Sequence, residues 1–476
     1  MQRKGRFWGS MWGGSTPGCA GSPRRLVSAA AVLMIGAIIV PTVAGANGVS
    51  TNWTAYHANR IESGIAPTSA SFASPTLAWT SPTLDGTLYG EPLVDRNLVV
   101  VATEHDTVYA LNATTGAVSW SVHLGTPVPS GDLPCGDIAP TVGITSTPVI
   151  DVSRSEVFVV VDEVAGTKIS HHLVGLDVST GHVLLNQVVD PAGSFPDAQL
   201  QRAALALDLG SVLIGFGGNA GDCSTYNGWV VSVPETGGSA HTWEADASPG
   251  HDQGAVWMGG AGPAVDASGN IWVATGNGSN TSGASPDSSD SVVELSRSMV
   301  PLQSFTPSTW QSDNAHDLDL GSAPPALMGN GFVFQVGKSQ TAFLLRRSHL
   351  GGVGGQAAQL GSFCGSDVDG GEAFTPSVAY VPCLGGVMAV SVNPSGTPPM
   401  RVLWTTNTGS TGPPIVVGKK VWTISGGGIL YGLSETNGQA LVHLALGAAP
   451  ANHFPTPAVG AGLLLASAFK RVVAFR

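Results

Sequence analysis

Charge is scarce in this chain: only 11% of its 476 residues are Asp, Glu, Lys or Arg, against about a quarter in an ordinary globular domain. Neither a coiled coil, nor a helical bundle, nor a disordered tail is built from so few charges. Positive charge is scarcest. Of 20 Lys and Arg, five (Arg3, Lys4, Arg6, Arg24, Arg25) stand before residue 47 with no acid among them, which leaves 15 bases against 32 acids beyond it. A surface of that sign argues against nucleic acid as partner, because binding phosphates requires a basic face. There is no Cys-x-x-Cys-His, hence no covalent haem. His-Glu-x-x-His and Gly-x-Ser-x-Gly are also missing, which removes the usual zinc-protease and serine-hydrolase signatures.

One apolar run, Leu26 to Val40, follows Arg24-Arg25 and is broken by Pro41, after which Ala44-Gly45-Ala46 offers small residues at a cleavage site. Residues 1–46 therefore read as a signal peptide cleaved after Ala46, and the mature chain as secreted or extracytoplasmic. The alternative is an uncleaved anchor, the one case in which a membrane would be a partner. Cys19 precedes the run, leaving Cys135, Cys223, Cys364 and Cys383. An even number in an oxidising compartment predicts two disulfides, with three pairings open.

Glycine (64), proline (32) and tryptophan (12) are plentiful, and they are organised by a repeat. Thr107-Val-Tyr-Ala-Leu-Asn112-Ala-Thr-Thr-Gly116-Ala-Val-Ser-Trp120 is a strand, a turn and a strand closed by tryptophan. It returns at 172–181, 229–237, 386–392 and 429–438. An Asn or Asp shortly before Thr-Gly ties the turn through its side chain, and glycine takes the left-handed position. Each copy follows a short apolar run and a Pro-Leu-Val or Pro-Val-Ile segment, which makes four strands per unit. Units begin near 90, 145, 201, 258, 320, 374, 412 and 456. The last has only three strands, and Leu77-Ala78-Trp79 has the closing pattern without a preceding unit. The expected fold is all-β: an eight-bladed β-propeller over 72–476, closed by pairing of its terminal strands, with 47–71 as a lead-in. Seven blades and a separate strand is the alternative.

These units resemble the pyrroloquinoline quinone (PQQ) repeat family, whose members include quinoprotein alcohol dehydrogenases and non-catalytic scaffold propellers. Asn52-Trp53-Thr54-Ala55-Tyr56-His57 is similar to the start of that family's propellers. The resemblance implies site residues. Trp257 matches a tryptophan that stacks on the quinone, and Lys338 a lysine that contacts quinone oxygens. Asn277, in Thr275-Gly276-Asn277-Gly278, matches a calcium ligand. Asp290 falls near the general base, and Asn219 or Asp222 would stand in for a calcium-binding glutamate whose own place holds Ala220. In a propeller the loops joining second to third strands, and those joining blades, open on one end, so all six face one axial funnel. The four cysteines lie on that end too, which favours Cys135 with Cys223 and Cys364 with Cys383.

The sequence departs from the dehydrogenases where they carry two adjacent cysteines: Pro134-Cys135-Gly136-Asp137 stands there, without the arginine expected after it. The expectation is a binding or scaffold propeller with a degenerate quinone site and an unidentified small-molecule or protein ligand at the funnel. The alternative is a PQQ- and calcium-dependent dehydrogenase of an alcohol or sugar, with Asp290 taking the hydroxyl proton. Two further patterns lead nowhere. Gly215 to Ala220 imitates a dinucleotide fingerprint without a following helix, and His171-His172, adjacent on a strand, face opposite ways.

Overall fold

The computed structural model describes residues 52–476 apart from Thr68, Ser69, Ala284 and Phe363; the signal segment, its cleavage after Ala46 and Cys19 lie outside the described residues. Eight small antiparallel sheets follow one another along the chain. Blade 1 comprises Leu93–Asp95, Leu98–Ala102, Thr107–Asn112 and Val118–His123; blade 2 runs from Val149 to Val188, blade 3 from Gln199 to Glu244, blade 4 from Ala264 to Thr306. Blade 5 spans Ala326 to Leu360, blade 6 Ala373 to Thr405, and blade 7 Ile415 to Ala445. Blade 8 is Ala458–Gly460, Leu463–Ala468 and Arg471–Phe475, completed by Leu77–Thr80 from the other end of the chain. The closing register pairs Leu77 with Phe475, Trp79 with Ala474 and Thr80 with Val473. The ring therefore has eight blades, not seven and a strand.

Position within a blade sets the side-chain pattern. The second strand of blade 1, Leu-Val-Val-Val-Ala, is buried along nearly its whole length, whereas the outermost strand of blades 1 and 2 alternates exposed and half-buried residues. A strand covered on both faces reads as a continuous apolar run; one at a rim reads with period two. Two blades depart from the four-strand rule. Blade 3 has a split inner strand, Gln199–Leu200 and Ala206–Asp208 both pairing with Ser211–Gly218, and blade 4 gains a fifth, parallel strand at Gly352–Val353.

Neighbouring blades lock through the closing tryptophans. Trp79, Trp120 and Trp404 donate Nε1–H to the carbonyls of Ala113, Val178 and Glu435, at 2.8, 3.1 and 3.0 Å. Each acceptor belongs to the Thr-Gly or Asn-Gly turn of the following blade. There Gly116, Gly181 and Gly438 adopt φ of +72°, +75° and +71°, and a Cβ on any of them would meet the indole at 2.5 to 2.6 Å. Glycine is required twice over, for its backbone and for the ring on its face. The side-chain tie is present as well: Asn112 Oδ1 accepts the Thr114 and Thr115 N–H groups, and Asp177 Oδ1 those of Ser179 and Thr180.

The lead-in is built into the hub. Trp53 pairs with Val94 and Ile65 with Val416, while Thr54, Arg60 and Ser63 carbonyls accept N–H groups of Ile150, Val265 and Phe374. It thus touches the innermost strands of blades 1, 2, 4, 6 and 7. Among the described residues no helix is long and apolar enough to cross a membrane.

Candidate axial site

A cavity of about 300 Å³ opens among the loops at one end of the ring, at the small end of the range for ligand pockets. Its wall is contributed by segments joining blades (Tyr89, Asp137, Trp257, Asp319, Asp369, His453), by Arg202 in the break of the split inner strand of blade 3, and by second-to-third loops (Asp222, Lys338). The first and last of these are the two loop classes that the topology sends to one end. Both disulfides join segments at this end of the ring. Cys135 pairs with Cys223 and Cys364 with Cys383, with Cα separations of 6.2 and 5.5 Å, both within disulfide reach.

Of the six residues singled out in the sequence, three line the cavity: Trp257, Lys338 and Asp222. Trp257 is half-buried and donates Nε1–H to the Gly218 carbonyl at 2.9 Å. Its indole lies against Gly217, and the Tyr226 ring against Gly218; a Cβ at either position would fall on the ring. The glycine run that imitates a nucleotide fingerprint is therefore a shelf for two aromatics. Asp222 accepts a hydrogen bond from the Tyr226 hydroxyl at 2.6 Å, and burial raises its pKa. Asn219 does not reach the cavity wall: its amide donates to the Asp197 carbonyl at 3.2 Å.

Asn277 and Asp290 stand behind the wall, bracing Asp319 and Leu320. The Asn277 backbone N–H donates to Asp319 Oδ1 at 2.7 Å, and Asp290 Oδ1 accepts the Leu320 N–H at 2.9 Å. Asp290 is fully buried, and burial, with Asp319 nearby, lifts its pKa far above the carboxylate range. The other oxygens, Asn277 Oδ1 and Asp290 Oδ2, are buried without a hydrogen-bond partner. The carboxylate that reaches the cavity is Asp319. Its Oδ2 is ion-paired to Lys338 Nζ, which also donates to Asp317 Oδ1 at 3.1 Å. Burial raises the Asp319 pKa and the ammonium draws it back; burial works against the Lys338 charge, but Asp319 and Asp317 outweigh it and hold it protonated.

Arg202 was not legible as a site residue. It is buried, with 5% of its surface exposed, and among the described residues it has no ion-pair partner. Its guanidinium carbon lies 5.7 Å from the Tyr89 ring centre and 5.3 Å from that of Phe454, and among the described residues its hydrogen-bond contact is a 3.5 Å one to the His453 carbonyl. Across the cavity, Asp137 is taken by an ion pair with His453. Burial lowers the Arg202 pKa, with Glu104 the largest opposing influence. A sequence clue exists only after the fact: Gln201-Arg202 precedes the Ala-Ala-Leu-Ala-Leu strand, where a charge is out of place.

Residues 71–261 match the PQQ_2 family, described as outer membrane protein assembly factor BamB. The chain is an eight-bladed β-propeller, and residues 71–261 of it carry the match to that repeat family. No curated protein matches it in sequence. Among solved structures it is similar to quinohemoprotein alcohol dehydrogenase from Comamonas testosteroni, at 15% identity and TM-score 0.68 over 90% of this chain and 81% of that one. It is similar also to a europium-containing methanol dehydrogenase, at 14% and 0.64 over 87% and 89%. BamB from Moraxella catarrhalis shares 12% identity at TM-score 0.57 over 84% and 99%. At such identities the shared property is the fold, which hosts both redox enzymes and an assembly factor.

The cavity's residues suit one of the two groups that likeness implies and not the other. A planar quinone bearing carboxylates fits: Trp257 offers a ring face, and Arg202 and Lys338 offer cations. A calcium ion does not fit. It needs six to eight oxygens, yet Ala220 holds the glutamate's place, Asn219 turns to Asp197, Asp222 is tied to Tyr226, and Asp319 already carries an ammonium. Among the described residues, no three carboxylate, histidine or cysteine ligand atoms converge within this cavity.

Proposed function

We propose that this is an extracytoplasmic binding propeller whose axial cavity takes a small, flat, anionic ligand without a metal ion. The observation that carries this reading is Arg202, a buried guanidinium with no carboxylate partner on the cavity wall. Burying a cation unpaired is costly, and a ligand carboxylate would offset that cost with a charge-assisted, two-pronged hydrogen bond. Trp257 supplies the stacking face, and Lys338, already shared between Asp317 and Asp319, supplies a second donor. Two disulfides around the mouth fit an oxidising compartment and a rigid rim, and export by the N-terminal segment is part of the proposal.

A second reading, a PQQ-dependent dehydrogenase of an alcohol or sugar, draws on the unpartnered Asn277 Oδ1 and Asp290 Oδ2. Buried orphan acceptors ask for a cation or a water. In that reading PQQ would accept the hydride, and Asp319, which lines the cavity where Asp290 does not, would receive the substrate's hydroxyl proton.

Equilibrium dialysis of PQQ against the untagged mature chain, with calcium and with a chelator, separates the two. The binding reading expects equal affinity in both conditions, weakened at least roughly tenfold by Arg202→Met, and no dye reduction with alcohols or sugars. Binding that requires calcium, with dye reduction, would establish the dehydrogenase. No binding in either condition would overturn the flat anionic ligand.

A further inference from the structure

We propose that Asp85, His105 and His123 form a binding site for a divalent transition metal ion, zinc by the chemistry of its donors, at the seam where the ring closes. The three come from separate places. Asp85 lies in the connection from the closing strand Leu77–Thr80 to blade 1, His105 in the second-to-third loop of blade 1, and His123 at the end of its outermost strand. One imidazole nitrogen from each histidine and one carboxylate oxygen all lie within 4.8 Å of one another. The atoms facing the cluster include His105 Nδ1, 3.5 Å from Asp85 Oδ2, and His123 Nδ1, 3.1 Å from the Thr107 hydroxyl. Ligands on a tetrahedral zinc at about 2.0 to 2.1 Å stand about 3.4 Å apart, so small side-chain rotations of exposed groups complete the arrangement.

Two features distinguish this cluster from a chance surface pair. The Asp85 carboxylate is oriented by protein donors: the Thr103 hydroxyl gives a 2.9 Å hydrogen bond to Oδ1 and the Thr107 hydroxyl a 2.5 Å bond to Oδ2. Outer-shell hydrogen bonds of this kind hold metal-binding carboxylates in place. The histidine rings, 5.4 Å apart and tilted by 32°, are brought to the same carboxylate from a loop and a strand end of the blade, and neither has a second carboxylate to pair with among the described residues. Two imidazoles and one carboxylate, with room for water, match zinc's preference for nitrogen and oxygen donors and an open coordination position. Because Lys470, in the last hairpin of blade 8, donates to the Asp85 carbonyl at 3.0 Å, an ion here would tie the connection leaving blade 8 to blade 1. None of the three residues lines the axial cavity, so the site is independent of the ligand proposed there.

The test uses untagged mature protein stripped with a chelator and titrated with zinc chloride by calorimetry and thermal melting. One zinc per chain is expected, with a rise in thermal midpoint of roughly 2–4 °C at saturation. His105→Ala/His123→Ala should lose at least roughly tenfold in affinity together with that rise. Since both side chains are exposed, the double variant without zinc should melt with the wild type, and this comparison verifies its fold. Unchanged binding in the double variant would place the zinc elsewhere and overturn the proposal. So would the absence of both heat and midpoint shift when wild-type protein meets excess zinc.

Discussion

Around the outer turns of blades 1, 2 and 7, every tryptophan is committed: its ring covers the glycine of the next blade's turn and its N–H is bonded to a carbonyl there. Around the axial cavity the polar groups are only partly committed. Among the described residues Arg202 has no ion pair, Trp257 is only half-buried on the cavity wall, and Asn277 and Asp290 each leave a buried oxygen unpartnered. The difference teaches where the two ends of the ring place their free energy. A contact repeated between neighbours is satisfied internally and stabilises the ring, whereas a cavity wall that leaves charges unmet gives up stability.

The sharpest test of that contrast pairs two tryptophans. Trp79→Ala removes a buried indole and its hydrogen bond at the closing strand, and is expected to lower unfolding free energy by about 3–5 kcal/mol in chemical denaturation. Trp257→Ala should cost less than half as much, since this indole is only half-buried whereas that of Trp79 is buried. Equal losses would erase the distinction between the rim and the cavity. Next in size, Gly217→Ala forces a methyl into the Trp257 ring and should cost about 1–3 kcal/mol through overpacking while weakening PQQ binding; intact affinity would show that the shelf does not position the indole.

A smaller effect, of opposite sign, is expected at Arg202. Replacing an unpaired buried cation by Met should raise stability by about 1 kcal/mol even as it removes anion binding. A loss of stability instead would mean that Glu104 and the rings already satisfy the guanidinium. A further expected effect is pH dependence. Burial raises Asp106 to about 9 and Asp162 and Glu104 to about 7. As pH falls from 9 towards 6.5, the folded chain takes up protons on these acids while the unfolded chain does not, so stability rises. Below about 6.5 the trend is opposed by His57, held near 3 by burial, which must stay neutral as the unfolded imidazole gains its proton. Thermal melting between pH 9 and 6.5 should show the midpoint climbing by roughly 2–4 °C; a midpoint that falls over this range contradicts the assignment.

Much of the fold is legible in the chain because each blade repeats a local rule. Asn112 to Trp120 contains its own turn, its own glycine and the tryptophan that docks next door, so period and residue type suffice to count blades. The three-strand unit ending at Phe475 and the orphan strand at Leu77 even specify how the ring closes. Loop topology makes the two cysteine pairs feasible, and the Cα separations decide them. His171 and His172 do face opposite ways, the first buried on Asp190 at 2.7 Å and the second towards Glu163 at 3.2 Å.

The wall of the cavity was decided only in three dimensions. Loop topology places Trp257, Lys338 and Asp222 at one end of the ring, but it does not say that Asp290 turns inward to hold Leu320 while Asp319 turns outward to meet Lys338. Nor does it say that Arg202 arrives between Tyr89 and Phe454. Likewise Asp85, His105 and His123 share no spacing that suggests a cluster; the closing strand brings the first against the other two. Periodicity determines which strand pairs with which, because a backbone ladder repeats. The direction in which an irregular loop points one side chain depends on packing against several other segments at once, and no local pattern carries that information.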